Sequence, residues 1–483
     1  FFLSTMFCRS SLLIILSLIL IASANEGFVK EELFARIGNL TGPTLREWPW
    51  PSYSEGPPCP PRYRQKLVPL TADDLRTTLL EIDALSSIFE QQLYDLNIPT
   101  GISVGIVYDQ EELFSKGYGT IHKNKNELPT ATTLYNIGSV TKIFTSLALY
   151  HTVEAGMVSL TAPVTDFFNE ENPPVFSIHN PYSSEGSSAV TLHSLASQAS
   201  GLPREAFCGA YPLTKDCENN TLAAQINLEH LSDFGLLFSP FSGSHYSNLG
   251  LSLLGRSLER VWNQEYEDFM VEHIFPNIGM PNSGFEYTQT VRENLATGYV
   301  VSGPDSNGTY STTPAVLYNT KPMAWSAPAG GAYSSTQDMM NFFKWIFASR
   351  GNLTSTNILS DSFVNEYMAP GMLLPDGISQ FGQGTFESVY AYGYWVFTKG
   401  GLTVSMGTSI AIVPELKLGV TVMFNINSGI DSDKLNSEIM RLLIPAVVDA
   451  LKNNQEPLPL PPNYETFLGS YGYSTPYFTL QET

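Results

Sequence analysis

Apolar and polar positions along this chain change period several times, and each change marks an element. In "GISVGIVYDQEELFSKGYG" (101–119) two short apolar runs flank Asp109-Gln110, which predicts a β-hairpin turning there. Before it, "TADDLRTTLLEIDALSSIFEQQLYDL" (71–96) carries apolar residues at helical spacing, with Thr71 as the expected cap and acids in the first turn. Further helical runs lie near 143–155, 248–262 and 336–349, separated by loops rich in Gly, Pro and Ser. Late in the chain, "TVSMGTSIAIVPELKLGVTVMFN" (403–425) predicts two apolar strands joined by Pro414-Glu415, and an amphipathic helix covers about 432–452. Strands at both ends of this region, with helices between, imply an α+β fold. One antiparallel sheet would unite distant parts of the chain, with helices covering its faces.

The ends break from this pattern. "MFCRSSLLIILSLILIASANEGF" has Arg9, an apolar run from Leu12 to Ile21, and Ala22-Ser23-Ala24, which reads as a secretory signal (1–24) cut after Ala24. An uncleaved membrane anchor is the alternative, although the run is short for a span of about 20 residues. Residues 42–71 are rich in proline and aromatics and read as an extended lead-in, so 25–85 holds lead-in and first helix. The main region is then 86–452, followed by a proline linker and strand-like tail (453–483) that reads as the start of a further segment.

Composition narrows the function classes. At 483 residues, 43% hydrophobic and 15% charged, the chain can bury a large core. Its net charge of −21 is spread without a long acidic run. That balance disfavours nucleic acid and anionic membrane surfaces, which need clustered positive charge; a membrane partner is expected only if the N-terminal signal stays uncleaved. Sequons at Asn39, Asn219, Asn307 and Asn352 agree with export. Cys208 and Cys217 could close a disulfide in an oxidising compartment, leaving Cys59 unpaired once Cys8 departs with the signal. No CxxC, HxH or HxxxH spacing occurs, so neither a metal site nor a cofactor is expected.

Three short stretches carry candidate chemistry. In "YNIGSVTKIFTSLALY" (135–150), Ser139 and Lys142 stand three positions apart at a helix start, about 5–6 Å between Cβ atoms on one face. A serine hydroxyl needs an adjacent base to become a nucleophile, and a lysine serves as one only if burial or nearby positive charge lowers its pKa. An ordinary N-cap is the competing reading. It fits poorly, because a capping box wants Glu or Gln at 142 and a cation opposes the helix dipole. In "SGSHYSNLGLSLLG", Tyr246 could move a proton and Asn248 could hold a substrate amide or anchor Lys142; Asn248 as helix cap and Tyr246 as packing is the alternative. His245 would point opposite to Tyr246 and reads as structural. Lys399-Gly400-Gly401 opens an apolar strand where a cation and bare backbone could meet a carboxylate or acyl group; a plain turn lysine is the alternative.

Taken in order, Ser139-x-x-Lys142, Tyr246-x-Asn248 and Lys399-Gly400-Gly401 resemble the SxxK, YxN and K-[ST]-G motifs of the serine beta-lactamase and penicillin-binding protein family. The YxN form is similar to the class C and esterase-like branch. "TLHSLASQASGLP" (191–203) and "APAGGAYSSTQDMMNF" (327–342) resemble that branch's connecting signatures, and the N-terminal stretch is similar to that of animal beta-lactamase-like proteins. The resemblance runs from about 88 to 452. It implies a beta-lactamase/transpeptidase-like fold: an antiparallel sheet flanked by helices, a mostly helical subdomain, and a site between them. It also implies Ser139 as acylated nucleophile, Lys142 as its activator and Tyr246 as general base and acid. Asn248 would then position the substrate amide, Lys399 and Gly401 would line the strand wall, and the backbone amides of Ser139 and Leu402 would form the oxyanion hole.

The departure is Gly400, where the family has Ser or Thr. The missing hydroxyl would cost a substrate carboxylate about 1.5–3 kcal/mol. The expectation is a secreted serine hydrolase acting on a small ester, amide or peptide. A binding or structural protein on the same fold, and a genuine beta-lactamase, stand as rivals. The oligomeric state stays open.

Overall fold

The structure, a computed structural model, describes residues 67–482 other than 124, 169–176, 183–188, 206–230, 232–234, 307, 316–322, 349–356, 375–378, 428–431, 455–470 and 475–478. The expected signal, most of the lead-in, all four cysteines and the four sequon asparagines lie outside the described residues. Within the tail, Tyr471–Ser474 and Thr479–Glu482 pair antiparallel.

The core is an eight-stranded sheet. Its strands are β1 (Gly101–Tyr108), β2 (Glu111–Gly119), β3 (Met372–Leu373), β4 (Gln380–Phe381), β5 (Glu387–Ala391), β6 (Tyr394–Leu402), β7 (Gly407–Val413) and β8 (Leu418–Phe424). The spatial order is β2-β1-β8-β7-β6-β5-β4-β3, with every neighbouring pair antiparallel. The hairpin turns at Asp109, which takes a positive φ of 50°. β7 and β8 are joined by a turn through Pro414–Leu416 and Lys417. β1 and β8 meet through Ile102↔Phe424, so the sheet closes the two ends of the region onto each other.

Strand alternation gives the sheet two different faces. Ile102, Val104 and Ile106 of β1, with Val420, Val422 and Phe424 of β8, face one core cluster. It is completed by helix α1 (Arg76–Asp95), through Ile82, Phe89 and Leu93, and by the C-terminal helix, through Leu435, Ile439 and Leu443. Each fully buried aliphatic or Phe side chain contributes about 1.5–3 kcal/mol. On the opposite face the alternate positions include Gly105 and Gly419. A Cβ at either would lie 2.5–2.6 Å from Thr336 or Phe343, so the helix Thr336–Phe347 packs directly on strand backbone. That second core cluster continues into α2 (Thr141–Glu154) and α3 (Asn248–Trp262), through Ile143, Phe144, Leu147, Leu251, Leu254 and Leu258. The helix Thr336–Phe347 is α4 and the C-terminal helix Ser432–Asn453 is α5.

These helices fall where the periodicity puts them, with one correction. α1 begins at Arg76, not at Thr71, and its cap residue Leu75 makes no side-chain cap bond. Thr71 instead gives both its N–H and its hydroxyl to Asp74 Oδ2, at 2.7 and 2.8 Å. That local bond holds 71–75 in a turn before the helix. Among the described residues no helix is long and apolar enough to cross a membrane.

Candidate active site

The start of α2, the start of α3 and the end of β6 converge on one cleft. Ser139 lies in a single 3-10 turn, Gly138–Val140, between the short strand Leu134–Asn136 and α2. That strand pairs with Tyr333–Ser335, and Ile137 N–H donates to the Ala332 carbonyl at 3.0 Å. Thr141 ties the turn further: its hydroxyl donates to the Gly138 carbonyl at 2.7 Å and accepts from Ala332 N–H at 3.1 Å. Against this turn packs β6, backbone to backbone. A Cβ at Gly401 would sit 2.0 Å from the Ile137 carbonyl oxygen, and one at Gly138 would sit 2.8 Å from the Leu402 carbonyl oxygen. Gly138 also has a φ of +49°, so glycine serves both the turn and the approach.

β5 stops at Glu387, opposite Thr398. Lys399–Leu402 therefore extend past the end of β5 and keep an edge that β5 leaves unpaired beside Ser139.

Lys142 occupies the first turn of α2 and is fully buried. Its Nζ donates to Ser139 Oγ at 3.0 Å and to the Ala329 carbonyl. Burial pushes the ammonium down, Lys399 nearby adds to the effect, and Tyr246 and Glu205 oppose it, leaving Lys142 at about 8. The Ala329 carbonyl is held by a buried scaffold. Arg256 of α3 donates to the Trp325 and Ala324 carbonyls at 3.0 and 2.8 Å, and forks onto Glu267 at 2.9 and 3.1 Å while also reaching Glu259. Glu259 and Glu267, with Glu265, form an acidic group, and the Arg256 guanidinium supplies the positive charge to the first two.

Tyr246 is positioned by the residue after it. Ser247, not Asn248, caps α3, so the reading of Asn248 as the cap is corrected: Ser247 Oγ accepts from Gly250 N–H at 2.8 Å and donates to the Pro203 carbonyl. The Tyr246 ring lies among three cations. Lys142 Nζ is 4.9 Å, Lys399 Nζ 5.1 Å and Arg204 Cζ 4.9 Å from its centroid. Burial alone would raise the phenol. The charges of Lys399 and Lys142, with hydrogen bonds from Lys142 and Ser139, outweigh it and bring Tyr246 down to about 7. A hydroxyl, an amine and a phenol thus meet, and two of them titrate near neutrality.

The remaining expected residues are placed as follows. Lys399 is 2% exposed, lies 3.4 Å from Glu387 Oε1 and donates to the Gly400 carbonyl at 2.9 Å. Leu402 is 45% exposed, with its backbone against Gly138. Asn248 reaches neither Lys142 nor Ser139 by a hydrogen bond; its Nδ2 donates to both Glu205 oxygens at 2.8 and 2.9 Å. At the departure site, a Cβ on Gly400 would meet Asp433 Oδ2 at 2.6 Å and Oδ1 at 3.1 Å. Sequence reasoning missed Arg204, Glu205, Glu387, Asp433 and the Ala329 carbonyl. Each reaches the site from another loop, strand or helix, and Ala329 acts through backbone alone, so no local motif announces them.

Comparison with known proteins identifies the family and the fold. The Beta-lactamase family model matches residues 85–443. "Beta-lactamase-like protein 2" of Dictyostelium discoideum is 33% identical over 352 residues, 72% of this chain and 59% of that protein. A human beta-lactamase-like 1 protein is 30% identical over 370 residues, covering 75% of this chain and 68% of its own length. The chain thus spans about three-fifths of its Dictyostelium relative. An octameric penicillin-binding protein homologue from Pyrococcus abyssi superposes with a TM-score of 0.62 at 25% identity, over 75% of this chain and 77% of that one.

Proposed function

The chain belongs to the Beta-lactamase family and has its fold, and from that premise we propose that it is a serine hydrolase. It works through an acyl-enzyme on Ser139, with a small ester, amide or peptide as substrate. The observation that carries this reading is the bond from buried Lys142 Nζ to Ser139 Oγ at 3.0 Å, beside a phenol brought down to about 7. What supports export is the sequence of residues 6–24 and the four sequons.

The chemistry follows from those groups. Tyr246 as phenolate, stabilised by the charges of Lys399 and Lys142, takes the Ser139 proton as Oγ attacks the substrate carbonyl carbon. The carbonyl π pair moves onto oxygen, where the backbone N–H groups of Ser139 and Leu402 and the N-terminus of α2 favour the negative charge. Collapse of the intermediate breaks the bond to the leaving group, which departs with the proton from Tyr246. Water then attacks the acyl carbon and gives a proton to Tyr246; the bond to Ser139 Oγ breaks, and Oγ takes that proton from Tyr246. Tyr246 is a base above about 7, and Lys142 keeps its charge below about 8. As coupled groups they set apparent values for the pair.

A fluorophosphonate probe tests the reading. It should modify the wild type at Ser139, by mass-spectrometric mapping, and leave folded Ser139→Ala unmodified; equal modification of both overturns the assignment. A binding protein on the same fold is the second reading, favoured by the Asn248 amide being taken up by Glu205 and by glycine at 400. A folded wild type that takes no probe, turns over no ester or peptide and binds a protein partner would establish it.

A further inference from the structure

We propose that Asp433 sets the substrate class of this cleft, which accepts an acyl substrate whose flanking group is a neutral hydrogen-bond donor or a cation and turns away one with a carboxylate there. This rests on the serine-hydrolase reading. Lys399–Leu402 run past the end of β5, so a substrate whose carbonyl reaches Ser139 lies along that edge. The two glycines of the edge look to opposite faces of β6: the Cβ direction of Gly401 points at Ile137 and Val140, and that of Gly400 at Asp433. With its oxygens 2.6 and 3.1 Å from where a Cβ would stand, the Asp433 carboxylate fills the place of a side chain at 400. A position that a hydroxyl donor would occupy therefore presents an anionic acceptor.

The surroundings do not cancel that charge. Among the described residues no cation lies within ion-pair distance of Asp433, and the nearby Lys399 ammonium is committed to Glu387 and to the Gly400 carbonyl. Glu205 beside the cleft is already paired, its Oε1 lying 3.0 Å from Arg204 Nε, which leaves the selecting charge to Asp433 alone. A carboxylate brought along this edge meets like charge, whereas an amide N–H or an ammonium meets an acceptor. Asp433 also suits the first turn of α5, where its charge complements the helix dipole, so stability has to be measured alongside selectivity.

Three thioesters that differ only in the leaving thiol test this: mercaptoacetate, mercaptoacetamide and thiocholine, whose quaternary ammonium carries the positive charge but cannot take the acyl group from sulfur. Thiol release gives kcat/KM, and protection of Ser139 from fluorophosphonate gives acylation. Wild type should process the carboxamide and the ammonium at least about tenfold better than the carboxylate. Asp433→Asn should fold with a similar Tm, raise the carboxylate, lower the ammonium most, and lower the carboxamide by less, as a charged acceptor becomes a neutral one. Equal use of all three by wild type, or an unchanged ratio in Asp433→Asn, overturns the proposal. So does a Ser139 that takes the probe while no thioester protects it. If Ser139 takes no probe at all, the hydrolase reading fails, and the proposal falls with it.

Discussion

Replacing Lys399 by methionine removes one of the two charges that hold Tyr246 as a phenolate, and its effect can be worked from the geometry. The side chain is 2% exposed, and methionine of similar length fills most of its volume. Lys399 Nζ lies 5.1 Å from the Tyr246 ring centroid. At an effective dielectric of about 20, a unit charge at that distance stabilises the phenolate by about 3 kcal/mol. At 1.36 kcal/mol per pH unit this is about two units, which moves Tyr246 from about 7 to about 9. Glu387, losing the Lys399 contact at 3.4 Å, pushes the same way. The base form exists above the pKa, so the variant loses activity at neutral pH and regains it in alkali. At pH 7 its kcat/KM should fall about fiftyfold or more, with recovery near pH 9. Kinetics across pH give the limb. Ultraviolet tyrosinate absorbance, taken as the difference from Tyr246→Phe, gives the ionisation without relying on turnover. A limb that stays near 7, or an equal loss at every pH, would refute the electrostatic role of Lys399.

Three other substitutions address the frame around the site. Gly401→Ala drives a Cβ to within 2.0 Å of the Ile137 carbonyl oxygen and must part β6 from the Ser139 turn, so probe labelling of Ser139 should slow by about tenfold or more. Gly407→Ala, whose nearest contacts are 3.4 Å, should label normally in the same assay. Arg256→Met leaves buried Glu267 and half-buried Glu259 without their counter-charge, at a cost of about 3–5 kcal/mol, and should lower the thermal midpoint by roughly 4–7 °C in calorimetry.

Much of this was legible in the chain. α3 runs over Asn248–Trp262 as its apolar spacing requires, and the β1–β2 hairpin turns at Asp109-Gln110. Ser139 and Lys142 stood out because a cation at the N-terminal end of an apolar helix contradicts the dipole rule, and such contradictions collect at working sites. What stayed hidden is long-range. Gly400 read as a lost hydroxyl; its other half, Asp433, follows β7, β8 and a connecting segment, and only the fold lays it over the strand. Asn248 read as a substrate holder because nothing near it hints that Glu205, from a loop more than forty residues earlier, accepts from its Nδ2 with both carboxylate oxygens. The Thr71 cap failed for a local reason, since Asp74 offered Thr71 a nearer partner than the helix did.

The pairing of Ile102 with Phe424 has a consequence for biogenesis. About 320 residues separate the partners, so at ~5–20 residues per second the ribosome delivers β8 roughly 15 to 60 seconds after β1 has emerged. Throughout that interval a nascent hairpin with an apolar, unpaired flank waits for its neighbour, and the Ser139 turn waits for its wall. Such high contact order slows folding and invites intermolecular pairing. Chaperone cover during synthesis, and loss of yield in any product ending before residue 424, follow directly from the topology.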